Sequence, residues 1–446
     1  MAFRFRLGAA SLLVGLLVAD TQLALAQMAP VPQPTSQTRG VFGGATGRNE
    51  QSSSVVVSAA EAYDSNVLGE QGPTQSLLQE SGFYTELNAG LTLRAGKQKL
   101  QFSTAAGTDF RYYAPAGEVF GIGHYGNAGL TYHSSTSTTI AVDGGVAYAP
   151  SYLYRLFNTL APPTLGEANI GGAYAVLDNP SFRYDARASV AKKISSRNTL
   201  TFRTGGSYTD FLHNDILYGG LPQRDLATFE AAAQFSRIIN RDLSLNAGYT
   251  YRRAEYYSGV FPTEHNVSFG GDYTRLLSKT RRSHLKFNVS TAMLDAAAPG
   301  DPLGILRQQQ QFAADVSFSR QFARTWQAQG GYNRSFGFIE GLTTPIFSDG
   351  VNVATSGLLS RRVDLSASAA YSVGTPVVFA QNRGFTTYTA DVRTRMALNE
   401  TYALYLEYLY YYYDFSRTLV PIGFPPQMAR SSVRAGITLW FPLPRS

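Results

Sequence analysis

Residues Thr401–Ser416, TYALYLEYLYYYYDFS, predict a β-strand with one face in lipid. Alternate side chains of an extended strand share a face. One face is therefore entirely apolar or aromatic, with Tyr402, Leu404, Leu406, Tyr408, Tyr410 and Tyr412. The other face is mixed, with Thr401, Ala403, Tyr405, Glu407 and Leu409. Leucines between terminal tyrosines are what a strand needs to cross a hydrocarbon layer from one headgroup level to the other.

In a soluble protein the same alternation would mark the inner face of a β-sandwich. Two further observations favour the membrane strand, because the pattern recurs along the chain and a secretion signal precedes it. Apolar and polar residues also alternate in Gln309–Phe322, Thr386–Leu398 and Ser431–Phe441. In each segment we expect the apolar set to face lipid and the polar set to face a lumen.

Two kinds of connection alternate between these segments. Short turns recur near Lys97, Ser135, Ser196, Asn240, Thr280, Arg324, Arg361 and Asn399. Longer loops lie at 65–80, 114–120, 149–180, 212–223, 258–264, 295–306, 340–348, 374–383 and 416–427. Eight short turns and nine long loops join eighteen strands, which predicts an all-β fold, a transmembrane antiparallel β-barrel of about 18 strands over residues 54–446.

The start of the chain predicts export. Basic residues near the N-terminus and a short apolar segment are followed by Ala24 and Ala26, which are small residues of the kind that signal peptidase requires before its cleavage site. We therefore expect residues 1–26 to be a signal peptide and residues 27–53, rich in polar residues and proline, to be a disordered periplasmic tail. With both barrel termini on that side, the short turns are periplasmic and the long loops extracellular. The outer membrane of a Gram-negative cell is the predicted location, with its lipids and the outer-membrane assembly machinery as partners.

Composition supports this class of protein. Charged residues make up 15% of the chain, against about 25% in soluble proteins, and a barrel wall in lipid needs no charged coat. The net charge is +7, but the basic residues are dispersed, so we expect no binding of nucleic acid. The chain contains no cysteine, which excludes disulfides and thiolate metal sites.

Enzyme chemistry finds little support in the sequence. Five histidines occur, and by the pattern they fall in loops, strand ends or turns. His213 lies close to Asp215 on a predicted loop tip, a weak arrangement for a hydrolase or a metal. None of the common catalytic, phosphate-binding or dinucleotide-binding motifs is present. We therefore predict that the protein is not an enzyme and uses no cofactor or metal.

The arrangement of a signal peptide, a polar linker and hairpins of this period resembles the beta-barrel porin 2 type of Gram-negative outer-membrane protein. The residues that carry the resemblance are Ala62–Asn66 at the end of the first strand and Ala435–Phe441 at the end of the last. The chain departs from the usual barrel ending, because Phe441 is followed by Pro442-Leu443-Pro444-Arg445-Ser446 instead of being terminal. The resemblance implies a channel, and barrels of similar size serve some exopolysaccharide systems as the polymer's exit.

Alternation assigns nine acidic and ten basic side chains to the lumen face. The pore-lining candidates among them are Arg187, Arg203, Arg252, Asp315, Asp391, Arg393, Arg395, Glu407, Arg430 and Arg434. The arginines of the last strand and of the strand two earlier would form either a basic ladder or ion pairs with Asp391 and Glu407. Near-equal numbers of the two signs predict little selectivity for anions over cations.

The long loop 149–180 is the other candidate for function, because loops of this length are uncommon unless functional or disordered. Its candidate constriction residues are Tyr152, Tyr154, Arg155 and Phe157. They would either extend the aromatic girdle or fold inward and narrow the lumen. The predicted function is an outer-membrane channel for the passage of hydrophilic solutes or of a polymer. An exopolysaccharide exit and a closed structural or adhesive surface barrel remain the alternatives.

Overall fold

The computed structural model describes most of the chain. The described residues are 53–65, 81–97, 99–113, 119–149, 180–212, 225–256, 261–278, 281–297, 306–322, 325–338, 345–377, 384–416 and 427–443. The signal peptide, most of the predicted tail, and loop 149–180 apart from its end residues therefore lie outside the described part, and those predictions stay predictions. No helix long and apolar enough to cross a membrane occurs among the described residues.

Eighteen strands form one sheet in the described part of the chain. Their bounds are Ser54–Asp64 (β1), Gly82–Lys97 (β2), Leu100–Tyr113 (β3), Val119–His133 (β4), Thr138–Ala149 (β5), Ser181–Lys193 (β6), Asn198–Phe211 (β7), Leu226–Ile238 (β8), Leu243–Tyr256 (β9), Thr263–Ser278 (β10), Arg281–Ala297 (β11), Leu306–Gln321 (β12), Gln327–Gly337 (β13), Ile346–Leu358 (β14), Val363–Pro376 (β15), Phe385–Ala397 (β16), Tyr402–Phe415 (β17) and Gln427–Pro442 (β18).

The sheet is a closed barrel. Each strand pairs antiparallel with the next along the chain, and β1 also pairs with β18, from Ser54↔Pro442 to Asp64↔Ser432. The predicted fold class, an antiparallel barrel of about 18 strands, is confirmed. Short connections between strands lie at all eight predicted positions, and they share one end of the barrel, called here the short-turn side. The longer connections share the opposite end, the long-loop side.

The outer surface of the wall is an apolar belt, as the alternation predicted. On β17, Leu406 is 52% exposed, whereas its neighbour Glu407 is 6% exposed. Outward phenylalanine, valine, leucine and isoleucine side chains are exposed on most of the strands. Near the long-loop side the rings of Tyr371, Tyr388 and Tyr412 form a row across three strands, with centroids 4.9 and 5.6 Å apart. Such a belt with an aromatic edge is the surface that a barrel presents to lipid.

Glycine–aromatic pairs shape parts of the inner face. Gly107 on β3 is directly opposite Tyr125 on β4, and the tyrosine ring occupies the space of the missing side chain. A Cβ added at Gly107 would come within 2.4 Å of that ring. Tyr405 covers Gly436 in the same way, since an added Cβ would lie 2.8 Å from its ring. Glycine at these positions lets a large ring lie flat against the wall, which keeps aromatic bulk out of the lumen.

Candidate functional site

The ten predicted pore-lining residues all lie at inward positions of their strands. Arg187, Arg203, Arg252 and Asp315 are partly exposed, whereas Asp391, Arg395, Glu407, Arg430 and Arg434 are buried and Arg393 is intermediate. Whether they line a conducting path stays a prediction. The constriction candidates Tyr152, Tyr154, Arg155 and Phe157 lie outside the described residues.

The densest group of charges lines the inner wall from β16 through β18 and β1 to β3. Arg434 on β18 is central, with Nη1 3.3 Å from Glu86 Oε2 on one side and 3.7 Å from Glu407 Oε2 on the other. Glu86 also contacts Arg111, whose Nε lies 3.5 Å from the same Oε2 atom. Asp109 continues the chain at 3.6 Å from Arg111 Nε. Charges of opposite sign therefore alternate across five strands of the wall.

Two arginines from the predicted basic ladder have acidic partners that the sequence did not single out. Arg430 and Asp64 join β18 to β1, with Nε and Nη2 both 2.6 Å from Asp64 Oδ2. Arg395 holds Asp364 in a two-point contact, Nε to Oδ1 at 3.2 Å and Nη2 to Oδ2 at 2.5 Å. Of the two alternatives, ion pairing is the one that the structure shows. Asp64 and Asp364 were missed because each lies at a strand end, where alternation is hard to read.

The remaining charges of this wall lie beside the same network. Arg393 is opposite Glu407, and its guanidinium lies 4.7 Å from the ring centroid of Tyr405. Asp391 is one inward position farther along β16 and is fully buried. Tyrosine rings fill the space between these groups; the sequence pattern places Tyr405 on the inner face of Thr401–Ser416 but gives the inward tyrosines no role. The buried inward tyrosines are Tyr84, Tyr405, Tyr411 and Tyr413.

Ion pairs also line the opposite part of the wall. Arg187 Nη1 on β6 lies 3.9 Å from Asp143 Oδ2 on β5, and both side chains remain partly exposed. Arg252 on β9 binds Glu264 on β10 through Nη2. Glu264 had been assigned to the loop 258–264, but β10 begins at Thr263, so this carboxylate belongs to the inner wall. Both of these pairs join neighbouring strands, which is the arrangement that stiffens a sheet.

Exposure along the inner face changes with height. On β9 the inward residues from Ser244 to Arg252 are partly exposed, whereas Ala254 and Tyr256 near the long loops are buried. The same change occurs on β11, where Lys286 is exposed and Leu294 is fully buried. On this side of the barrel the lumen is therefore accessible in its short-turn half and filled in its long-loop half.

Strand β13 contributes to the filling because it leaves the wall. The ladder between β12 and β13 has eight pairs and stops at Ala314↔Arg334, although β12 continues to Leu306 and β13 to Gly337. Beyond that point Phe336 is 0% exposed and packs against Leu226 and Tyr256. These partners belong to the inner faces of β8 and β9, so the end of β13 lies inside the barrel.

Two hydrogen bonds span the interior at this narrowing. Arg252 Nη2 donates to the carbonyl oxygen of Phe336 at 3.0 Å, four strands away in the sheet. Gln309 Nε2 on β12 donates to the carbonyl oxygen of Val377, just beyond β15, at 2.5 Å. The guanidinium of Arg252 also lies 5.6 Å from the ring centroid of Phe338. Loop 149–180, predicted either to extend the aromatic girdle or to narrow the lumen, lies outside the described part except for its end residues; among the described residues the narrowing comes from the ends of β13 to β15.

The described residues form no group of three or more histidine, cysteine or acidic side chains that would hold a metal ion. His265 points outward and shares a hydrogen bond with Tyr249 at 2.7 Å. His284 Nε2 lies 2.9 Å from Asp272 Oδ2 on the inner face, and the hydroxyl group of Thr274 donates to Asp272 Oδ1 at 3.3 Å. His213 and Asp215 fall outside the described part of the chain. These contacts single out no catalytic arrangement.

No family model matches the sequence, and a comparison with curated proteins finds no relative. The resemblance to the beta-barrel porin 2 type therefore stays a prediction. Similar solved structures include Pseudomonas aeruginosa OpdQ, at 10% identity and a TM-score of 0.41 over 88% of this chain and 98% of that one. Acinetobacter baumannii OccAB4 matches at 11% identity and 0.41 over 89% and 100%. The Escherichia coli ferric-catecholate import receptor Fiu in its open form matches at 7% and 0.41 over 90% and 85%. Likeness at this level does not establish a shared function.

Proposed function

We propose that this protein is an outer-membrane channel for small hydrophilic solutes. The observation that carries the proposal is a closed 18-stranded barrel with an apolar belt outside and arginine–carboxylate ion pairs inside. A wall in lipid explains the belt, and inward charges that stay partly exposed, such as Arg187 and Asp143, are expected where the interior holds water. The short turns then face the periplasm, and the assembly machinery reads Phe441 near the end of β18.

The solute carries little net charge in this proposal. Inward arginines have acidic partners on neighbouring strands, as in Arg430–Asp64, Arg395–Asp364 and Arg252–Glu264. Paired charges leave a weak field along the lumen, so discrimination depends on width and surface contacts. The inward ends of β13 to β15 reduce that width, which favours a small solute over a polysaccharide chain. Export of a polymer remains the rival within transport.

A closed structural barrel is the second candidate function. The specific observation in its favour is the buried long-loop half, where Phe336, Leu294 and Tyr256 pack together inside the barrel. A barrel that never opens there would serve as a surface anchor or adhesin. Conductance separates the two candidates, because a structural barrel gives no channels in a planar bilayer.

Single-channel recording of the intact protein and of a variant lacking most of loop 149–180 tests the proposal. We expect discrete openings with a cation-to-anion permeability ratio near unity. If the loop narrows the path further, its removal raises conductance without changing that ratio. Silence of both proteins in bilayers would contradict the channel and support the structural barrel. A strong preference for one ion sign would contradict the proposed solute class, and loss of polymer export in cells lacking the protein would support the polysaccharide exit.

A further inference from the structure

The end of β13 has a sequence pattern that conflicts with its position. Continuing the β12–β13 register past Ala314↔Arg334 would place Phe336 opposite Phe312, on the outer face of the wall. Phe312 is 58% exposed there, and Phe347 is already opposite Phe336 on β14. The three phenylalanines would then extend the outward aromatic edge of the belt. Instead, Phe336 is buried inside the barrel among the apolar residues of β8, β9, β11 and β12.

The inner position has its own stabilising contacts. Phe336, Phe338 and Val377 fill a seat on the inner wall, formed by Leu226, Ala254, Tyr256, Ala292, Leu294, Ala296 and Ala313. Arg252 and Gln309 donate hydrogen bonds to the carbonyl oxygens of Phe336 and Val377. Burial of these apolar side chains and hydrogen bonding of the two carbonyl groups therefore stabilise the inner position of the segment ends.

Arg334 lies at the fork where the two strands separate. Its Nε donates to the carbonyl oxygen of Phe312 at 3.2 Å, and its Nη1 lies 3.4 Å from Asp349 Oδ1 on β14. Tyr332 donates to the same Asp349 oxygen at 2.6 Å. The Phe312 carbonyl belongs to the part of β12 that has no ladder partner on the described part of β13. Arg334 thus satisfies a backbone group that a continued ladder would otherwise use.

We infer that the ends of β13 to β15 are a gate with two positions. In the closed position, which the structure shows, they pack on the inner seat and fill the long-loop half of the lumen. In the open position β13 pairs onward with β12, adding Ala313↔Ser335, Phe312↔Phe336 and Gln311↔Gly337, and carries Phe336 and Phe347 to the lipid face. Hydrogen bonds of the longer β12–β13 ladder and contact with lipid then replace the contacts with the seat. The backbone groups and phenylalanine side chains at the end of β13 therefore have partners in both positions, but different ones. The inference rests on the proposed channel only for the consequence that the open position conducts more.

Engineered disulfides test the two positions, since the chain contains no cysteine of its own. The pair Phe312→Cys with Phe336→Cys captures the open position, because facing residues of an antiparallel ladder lie within reach of a disulfide. The pair Gln309→Cys with Val377→Cys captures the closed position. The pair Val316→Cys with Tyr332→Cys, within the ladder that the structure already has, is the matched control. Cross-linking is measured by mass spectrometry after mild oxidation in lipid vesicles, and conductance is recorded before and after reduction.

We expect all three disulfides to form. Oxidation of the open pair should raise single-channel conductance, oxidation of the closed pair should lower it, and oxidation of the control pair should leave it unchanged, with each change reversed by reduction. Failure of the open pair to form while the control pair forms would overturn the gate, because β13 would then never reach β12. Formation of the open pair without any change in a conducting barrel would overturn its role in permeation. If the open pair forms but no variant conducts in bilayers, the result supports the two positions of β13 and contradicts the proposed channel.

Discussion

Individual inward side chains stabilise the junction between the first and last strands of the barrel. Asp64 and Arg430 are both buried there, and Asp64 Oδ2 accepts a hydrogen bond from Arg430 Nε and lies 2.6 Å from Arg430 Nη2. Substituting Asp64→Asn leaves a buried arginine without its counter-charge, which costs roughly 3–5 kcal/mol of unfolding free energy. Urea unfolding from lipid vesicles measures the loss. The control is Glu61→Gln, an outward, exposed residue of the same strand; equal losses in the two variants would contradict a special role for the buried pair.

The glycine–aromatic pairs make a second prediction about single residues. A valine at Gly107 would collide with the Tyr125 ring, so Gly107→Val should destabilise the barrel by about 1–3 kcal/mol, as overpacking does elsewhere. Removing the ring with Tyr125→Ala should restore part of that loss, which a double-mutant cycle detects. Gly126→Ala is the control, because its added Cβ would meet nothing closer than 4.0 Å. Additive effects of Gly107→Val and Tyr125→Ala would show that the ring and the glycine are independent.

Individual strands were predictable wherever one face lies in lipid. The outer face of β17 was assigned correctly from Thr401–Ser416, because lipid demands an uninterrupted apolar set. The lumen face obeys a weaker rule, since polar, aromatic and apolar side chains all occur there. The acids at the ends of β1 and β15 were missed for that reason, and Tyr405 of β17, although placed on the inner face, was given no role. The departure of β13 from the wall was also unpredictable, because its alternation fits the position that it does not occupy.

Outward and inward residues alternate along β10, so substitutions at neighbouring positions test which face of the whole strand lies in lipid. Val267 is 63% exposed on the outer face, and Ser268 next to it points inward, opposite Gly248 on β9 and Ser290 on β11. Val267→Arg should cost about 2–4 kcal/mol of folding free energy if the site lies near the bilayer midplane, while Ser268→Arg should cost much less. Ser432, an inward neighbour of Val433, would be a poor control, because it is buried within hydrogen-bond reach of Tyr84. Equal costs on β10 would mean that the strand is shifted by one residue.

The whole barrel has an inner wall that differs from one sector to the other. Charges and tyrosines are buried from β16 to β3, whereas the inner faces of β8, β9 and β11 are polar toward the short turns and end in apolar residues near the long loops. The strand order places these sectors on nearly opposite sides of the barrel. A solute entering from the short-turn side therefore meets an accessible polar vestibule before it reaches the packed ends of β13 to β15.

Thiol labelling along β9 tests this vestibule in the native barrel. Asn246 and Ala254 share the inward face of one strand, but Asn246 is partly exposed and Ala254 is 0% exposed. A water-soluble maleimide should modify an Asn246→Cys variant rapidly and an Ala254→Cys variant slowly, because the second thiol lies under Phe336 and its neighbours. Both should react at the same rate in urea, which controls for intrinsic reactivity. Equal rates in the native barrel would show a lumen open along its full height, and the narrowing at β13 would then not control permeation. If Ala254→Cys is labelled faster with the oxidised Phe312→Cys and Phe336→Cys pair than with Phe336→Ala alone, moving β13 to the wall uncovers this part of the lumen.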